Sequence, residues 1–177
     1  MEILLNKDKL LDSDINERSL KVRALLFDEN NKVLVANYNG VLMLPGGKVD
    51  NGENIIDALS RELSEELGNT YTGDELTYFM TLNFYQKDYP KIEDVMVNRL
   101  VRTYYFVGSY KSINNDLQQL SEREKKAKFR LELIPLDELE NIVLSNNTDN
   151  PRNRYFQDEL LEVLKYYKKN KVLILKK

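Results

Sequence analysis

The chain of 177 residues contains no cysteine and no histidine. A disulfide scaffold, a thiol nucleophile and a Cys/His zinc site are therefore excluded, and imidazole acid–base chemistry with them. Any hydrolytic chemistry has to come from carboxylates, hydroxyls, lysines or a hard metal ion. No apolar run approaches the roughly 18 residues of a membrane span. The opening segment MEILLNKDKLLDSDINERSL carries charge throughout and has no apolar h-region, so no signal peptide is expected and the expected location is cytoplasmic. Internal repeats, low-complexity segments and Pro/Gly/Ser-rich linkers are also missing, which fits one domain over residues 1–177. At 42% hydrophobic and 31% charged residues the composition is that of an ordinary globular protein. A net charge of −3 makes long nucleic acid an unexpected partner. The basic segments KKAKFR and KYYKKNK read as solvated surface charge.

Several elements stand out along the chain. After an N-terminal extension of about residues 1–18, SLKVRALLFD reads as a strand ended by the turn ENNK, with KVLVANY as its hairpin partner. GVLMLPGG is a short apolar strand running into a glycine loop, and a helix is expected from about Asn54 to Leu67. Two long strand-like runs follow, ELTYFMTLNFYQ and NRLVRTYYFVGSY. The second is apolar or aromatic on both faces, which suits a strand covered on both sides. KFRLELIPL is a further strand and DELENIVLS a short helix. A long C-terminal helix is expected over about 150–169, with Asn150 as N-cap, Pro151 at the first position and Phe156, Leu160, Leu161 and Leu164 as its apolar stripe. Strands with helices before and after give an α/β protein, an α/β/α sandwich around a mixed sheet.

The stretch LPGGKVDNGENIIDALSRELSEELGN, Leu44 to Asn69, is the most unusual. At 100° per residue, Ile56, Leu59, Leu63 and Leu67 form a stripe about 80° wide, and Glu62, Glu65 and Glu66 span about 100° beside it. Like charges three and four residues apart destabilise a helix. One reading is a solvated acidic helix with Arg61 paired to Glu65. The other is a cation site, since clustered carboxylates suit Mg²⁺ or Mn²⁺ and a divalent ion relieves their repulsion. The preceding loop favours the second reading. Gly46 and Gly47 permit close approach of backbone to ligand, so Gly47 and Lys48 become candidate contacts for phosphate oxygens.

Gly47, Glu53, Arg61, Glu62, Leu63, Glu65, Glu66 and Gly68 carry the spacing of the Nudix box, and the stretch resembles that family. Asn69 alone departs, standing where an aliphatic residue is usual. The resemblance implies the Nudix fold and a hydrolase that splits the diphosphate of a nucleoside diphosphate linked to another group, using Mg²⁺ or Mn²⁺. It implies Glu62, Glu65 and Glu66 as metal ligands, with the Gly46 carbonyl joining them, and Glu65 or Glu66 as proton acceptor from the attacking water. Arg61 would orient Glu65, and Glu53 would fix the start of the helix. A further acid from a later loop is common in the family, and Glu122, Glu124 and Glu93 are candidates beside their reading as surface charge. Tyr85 and Tyr89 are candidates for stacking on a base, against strand-end packing. Arg152 and Arg154 are candidates for a phosphate, against a role at the helix start. The substrate stays open, as does homodimerisation. One rival is a nucleotide-sensing domain of the same fold without hydrolysis, and another a scaffold with an acidic surface helix. An isoprenoid diphosphate isomerase of this fold would need a cysteine, which this chain lacks.

Overall fold

Alternation along SLKVRALLF sends Val22, Ala24 and Leu26 to one side of the chain and Lys21, Arg23 and Leu25 to the other. This strand is the centre of the molecule. A computed structural model describes residues 1–91 and 95–174. In chain order the elements are β1 (Glu2–Leu5), β2 (Glu17–Phe27), β3 (Lys32–Tyr38), β4 (Val41–Met43), β5 (Gly46–Lys48), α1 (Ile55–Leu67), β6 (Leu76–Pro90), β7 (Met96–Ser109), α2 (Glu122–Lys126), β8 (Arg130–Pro135), α3 (Leu136–Ser145) and α4 (Asn153–Ile174).

The strands form one mixed sheet in the order β1-β6-β7-β2-β3-β4, with β5 paired to β2 and β8 to β3. β1 runs parallel to β6 and β2 parallel to β7, with Arg23 opposite Tyr105 and Glu17 opposite Arg99. The β2–β3 turn is the expected one: the Asp28 carboxylate accepts from the backbone N–H groups of Asn30 and Lys32, at 2.9 and 2.7 Å.

Two apolar layers cover the sheet. On one face, Val22, Ala24 and Leu26 pack with Leu59, Leu63 and Leu67 of α1. Each of these buried leucines contributes about 1.5–3 kcal/mol. The repulsion between like charges four apart on a helix is only about 0.2–0.5 kcal/mol, so packing decides that α1 forms despite its acids. On the other face, Leu25, Tyr105 and Val107 pack with Leu160, Val163, Leu164 and Tyr167 of α4 and with Leu139 and Val143 of α3. The fold is the α/β/α sandwich around a mixed sheet.

Four local features differ from the sequence reading. Residues 2–5 of the N-terminal extension are an edge strand of the same sheet, their pattern too short to read before β6 supplies a partner. GVLMLPGG breaks at Leu44–Pro45 into β4 and β5, which pair with β3 and β2 respectively. α2 was not expected, its single turn being closed by Ser121 and Glu124 capping one another. α4 starts at Asn153 and runs on to Ile174. Asn150 still caps its approach, its Oδ1 accepting from the Arg152 N–H at 3.0 Å. Among the described residues, no helix is long and apolar enough to cross a membrane.

Candidate active site

The glycine loop and α1 are fixed from both ends. Asn54 caps the helix, its Oδ1 accepting from the Ile56 N–H at 2.9 Å. Gly68 ends it in the left-handed region at φ 68°. The carbonyls of Glu65, Glu66 and Leu67 would otherwise lack partners. They accept from Gln119 N, the Gln118 side chain and Asn114 N, so the segment after β7 closes the helix. Asn69, the one departure from the motif, ties into the same segment by donating to the Ser112 carbonyl at 2.7 Å.

Arg61 organises the approach to the helix. Its Nε and Nη2 both donate to Glu53 at 2.9 Å, Nη2 donates to the Lys48 carbonyl at 3.1 Å, and Nη1 donates to Glu62 at 3.0 Å. Nη1 also reaches Glu65 at 3.5 Å. The pair with Glu65 is therefore present, and the planar fork matches Glu53 as well, which also accepts from the Asp50 N–H. The Arg61 bonds and that N–H hold the Glu53 carboxyl at about 2.

Glu62 and Glu66 reach a cleft of about 470 Å³, together with Gly46, Gly47 and Lys48. Glu66 is buried and accepts from the Gly46 N–H at 2.8 Å. Burial pushes its carboxyl up to about 8, against the pull of that N–H and of Arg23. Burial also raises Glu62, against the pull of Arg61. Glycine is required at position 46, and at 47 a side chain would displace the Glu62 carboxylate. A Cβ on Gly46, at φ +119°, would lie 2.3 Å from the Val22 carbonyl, and one on Gly47 would lie 2.3 Å from the Glu62 carboxylate.

The remaining candidates divide. Tyr89, Arg152 and Glu124 line the cleft, while Tyr85, Arg154 and Glu122 do not. Tyr85 lies one residue out of phase with Gln86 and so on the other face of β6. Arg154 folds back over the Tyr155 ring, 4.5 Å from its centroid. Glu122 is exposed and paired to Lys125 at 3.0 Å. Glu93 lies outside the described residues. The Tyr89 ring is already covered, with the Arg99 guanidinium 3.1 Å from its centroid and that of Arg152 at 5.6 Å. Packing between cations, not an open stacking face, is its observed state.

Of the cleft residues that escaped the sequence reading, three are cations on the two central parallel strands: Lys21, Arg23 and Arg99. Their signal was phase. All three sit at odd positions of their strands, in register with Leu25, Val101 and Tyr105, where a strand carries core residues. Arg23 is 4% exposed. It donates to the Leu44 carbonyl and, at 3.4 Å, to the Gly46 carbonyl, and its Nε lies 3.4 Å from Glu159 of α4. Glu159 also accepts from the Tyr105 hydroxyl. Burial, and secondarily Arg23, depress Lys21 to about 7.

The donor set suits a hard cation. Glu62 and Glu66 offer carboxylate oxygens to one cleft, glycine at position 47 leaves room for one of them, and the chain has no cysteine or histidine. Among the described residues, no three acidic side chains gather closely enough to form a metal cluster.

The comparisons with known proteins agree with this geometry. In the solved structures, the chain is similar to the MutT protein of Methanosarcina mazei Go1, at 19% identity over 86% of this chain and 96% of that one, with a TM-score of 0.52. It is also similar to a NUDIX hydrolase from Nitrosomonas europaea, at 19% identity over 81% and 88% with a TM-score of 0.53. The E. coli ORF135 protein resembles it over 92% and 95%, at 16% identity and a TM-score of 0.51. At such identities the likeness shows the fold. No curated protein matches the sequence. The model of the NUDIX domain matches residues 17–160, which span the loop, the glutamate helix and the sheet that carries them, and the chain belongs to that family.

Proposed function

We propose that the protein is a metal-dependent pyrophosphohydrolase that cleaves the diphosphate of a small nucleoside diphosphate derivative. The observation that carries this reading is the convergence of Glu62, Glu66 and the Gly46 loop on one cleft that Lys21, Arg23, Arg99 and Arg152 also line. Glu62 and Glu66, with the Gly46 carbonyl, would hold Mg²⁺ or Mn²⁺, and Glu65 would join them by leaving Arg61. A bound divalent ion polarises phosphoryl oxygens and lowers the pKa of water. Gly47 lets the loop backbone approach the substrate. Glu65 or Glu66 accepts the proton as the water oxygen bonds to phosphorus. One P–O bond of the diphosphate breaks and its bridging oxygen leaves with the other phosphoryl group. Arg61 and Glu53 keep the loop and the helix in fixed relation while this occurs. Glu124, at the cleft rim on α2, is the later acid that the geometry favours over Glu122. The same reading places the activity in the cytoplasm.

The test is product release from ADP-ribose, diadenosine polyphosphates, NADH, nucleoside triphosphates and 5′-triphosphate RNA, with Mg²⁺ or Mn²⁺ and with chelator. Metal-dependent cleavage that Glu66→Gln abolishes is the expected result. Nucleotide binding without cleavage of any member would replace the hydrolase by a nucleotide sensor.

A further inference from the structure

We infer that Lys21, Arg99 and Arg152 form a second anion subsite in the cleft, which takes a phosphoryl group carried by the substrate beyond the diphosphate held at the acidic wall. The inference rests on the hydrolase reading for the substrate's identity, and on the geometry alone for the subsite.

The three cations are placed by the fold and not satisfied by it. Lys21 and Arg99 project from neighbouring parallel strands onto the face covered by α4, with Arg99 four places before Thr103, the partner of Lys21. Arg152 comes down from the start of α4. Among the described residues, Lys21 makes no hydrogen bond or ion pair, and its ammonium sits 5.4 Å from the centroid of the Phe156 ring. Arg99 is 7% exposed, yet its nearest carboxylate oxygen is on Glu17 at 4.0 Å, and Glu17 is engaged by Lys91 through its other oxygen. The firm partners of Arg99 are neutral, Gln86 and the Tyr89 ring. Arg152 spends its Nε on the Pro90 carbonyl at 3.0 Å. Arg23 is different, since its Nη1 is occupied by loop carbonyls and its Nε lies 3.4 Å from the buried Glu159 carboxylate.

Burying cations with too little counter-charge is costly, and here several repel one another in one cleft, the buried Glu159 that faces them being already engaged by Arg23 and Tyr105. An anion arriving from outside removes that cost. The metal-bridged diphosphate would be neutralised at the acidic wall. A neutral group on its far side, such as an unmodified sugar, would leave the three cations as unsatisfied as before. A further phosphate would satisfy them. The substrate class is therefore a nucleotide with three or more phosphates in a chain, or a nucleoside diphosphate whose second group is itself phosphorylated. A cleft of about 470 Å³ suits one ligand of that size.

The experiment begins with inorganic tripolyphosphate titrated calorimetrically into the full-length protein with chelator at low salt, a measurement that needs no turnover. Wild type should bind it. Lys21→Met should weaken binding about tenfold, the loss of one charge-assisted contact. Lys21→Arg should stay within about threefold, because it keeps the charge, and the remote Lys168→Met should change nothing. Absence of binding to wild type, or equal binding by Lys21→Met, would overturn the subsite. With metal, Lys21→Met should raise KM about tenfold for a nucleoside triphosphate and leave ADP-ribose within about twofold. Equal losses on both would also overturn it. A nucleoside diphosphate sugar phosphate in a third arm decides between the two sources of the extra phosphate. Should no substrate be cleaved while the tripolyphosphate difference stands, the hydrolase reading fails and the anion subsite survives.

Discussion

The acidic wall of the cleft comes from one continuous stretch, Gly46 to Glu66, and its glutamates find partners within that stretch: Glu53 with Arg61, Glu62 with Arg61, Glu66 with the Gly46 N–H. The basic floor is assembled from β2, β7 and the start of α4, and its cations are far apart in sequence and poorly matched. The first wall is a local structure that would keep its shape wherever the fold held it. The second exists only because the sheet brings Lys21 beside Thr103 and Arg99 beside Glu17. Chemistry that demands fixed geometry sits on the first; recognition that tolerates adjustment sits on the second.

The largest effect that would test this division is on turnover. Glu66→Gln should lower metal-dependent kcat on the order of 10³-fold, while the metal-free protein melts no lower than wild type, since burial already disfavours the carboxylate there. A large fall in Tm with the loss of activity would mean that the acidic wall carries the fold as well as the chemistry.

Next comes the floor, where stability should respond instead. Glu159 faces Arg23 with both side chains under 10% exposed. Removing one partner of a buried pair leaves the other charge stranded, so Glu159→Gln should cost about 3 kcal/mol, roughly 6–12 °C in Tm for a chain of this size. Replacing both by methionine should recover most of that loss, because the pair as a whole costs desolvation that apolar packing does not. If the double substitution melts as low as the single one, the interaction of Arg23 with the Leu44 and Gly46 carbonyls matters more than its charge.

A pH profile gives a smaller, graded effect. Glu66 titrates near 8 in the folded protein against an ordinary 4.5. A carboxyl raised in this way contributes stability that is full below about 4.5 and is lost as pH rises through about 8. In chelator, the Tm of wild type relative to Glu66→Gln should therefore fall across that window. Saturating Mg²⁺ should flatten the difference by favouring the carboxylate in the folded state. A difference that stays constant with pH would place the titration elsewhere.

How far the sequence could be read follows the same division. The acids and glycines of the first wall were legible because one helical turn places Glu62 and Glu66 together, and spacing alone shows it. The helix itself was legible from Leu59, Leu63 and Leu67. Lys21 and Arg99 carried a signal of phase, but only knowledge that β2 and β7 run parallel and adjacent turns two in-phase cations into one site. Tyr85 misled because aromatic residues at the end of a strand look alike whichever face they take, and the irregular pairing between Gln86 and Tyr89 sets that face. The pair of Arg61 with Glu65 was legible because a spacing of four residues is a rule of helices, whereas its grip on Glu53 was not, since Glu53 lies outside the helix and meets Arg61 only through the turn of the loop.

The smallest effect concerns how the first wall is held. Asn54 accepts from the Ile56 N–H and is the side-chain cap at that end. Losing it in Asn54→Ala should cost about 1 kcal/mol, or roughly 2–4 °C in Tm. Yet the helix is anchored twice more: Glu53 grips Arg61 with two bonds at its start, and Gln118, Gln119 and Asn114 hold the last carbonyls at its end. These anchors bear directly on the residues that present Glu62 and Glu66, whereas the cap does not. The expected outcome is a lower Tm with kcat and the apparent Mg²⁺ affinity both within about twofold of wild type. A fall in kcat as large as that in Glu53→Ala would show that the wall leans on its cap. The division would then have to be redrawn, with the local structure of the acidic wall as dependent on each of its parts as the floor is on the sheet.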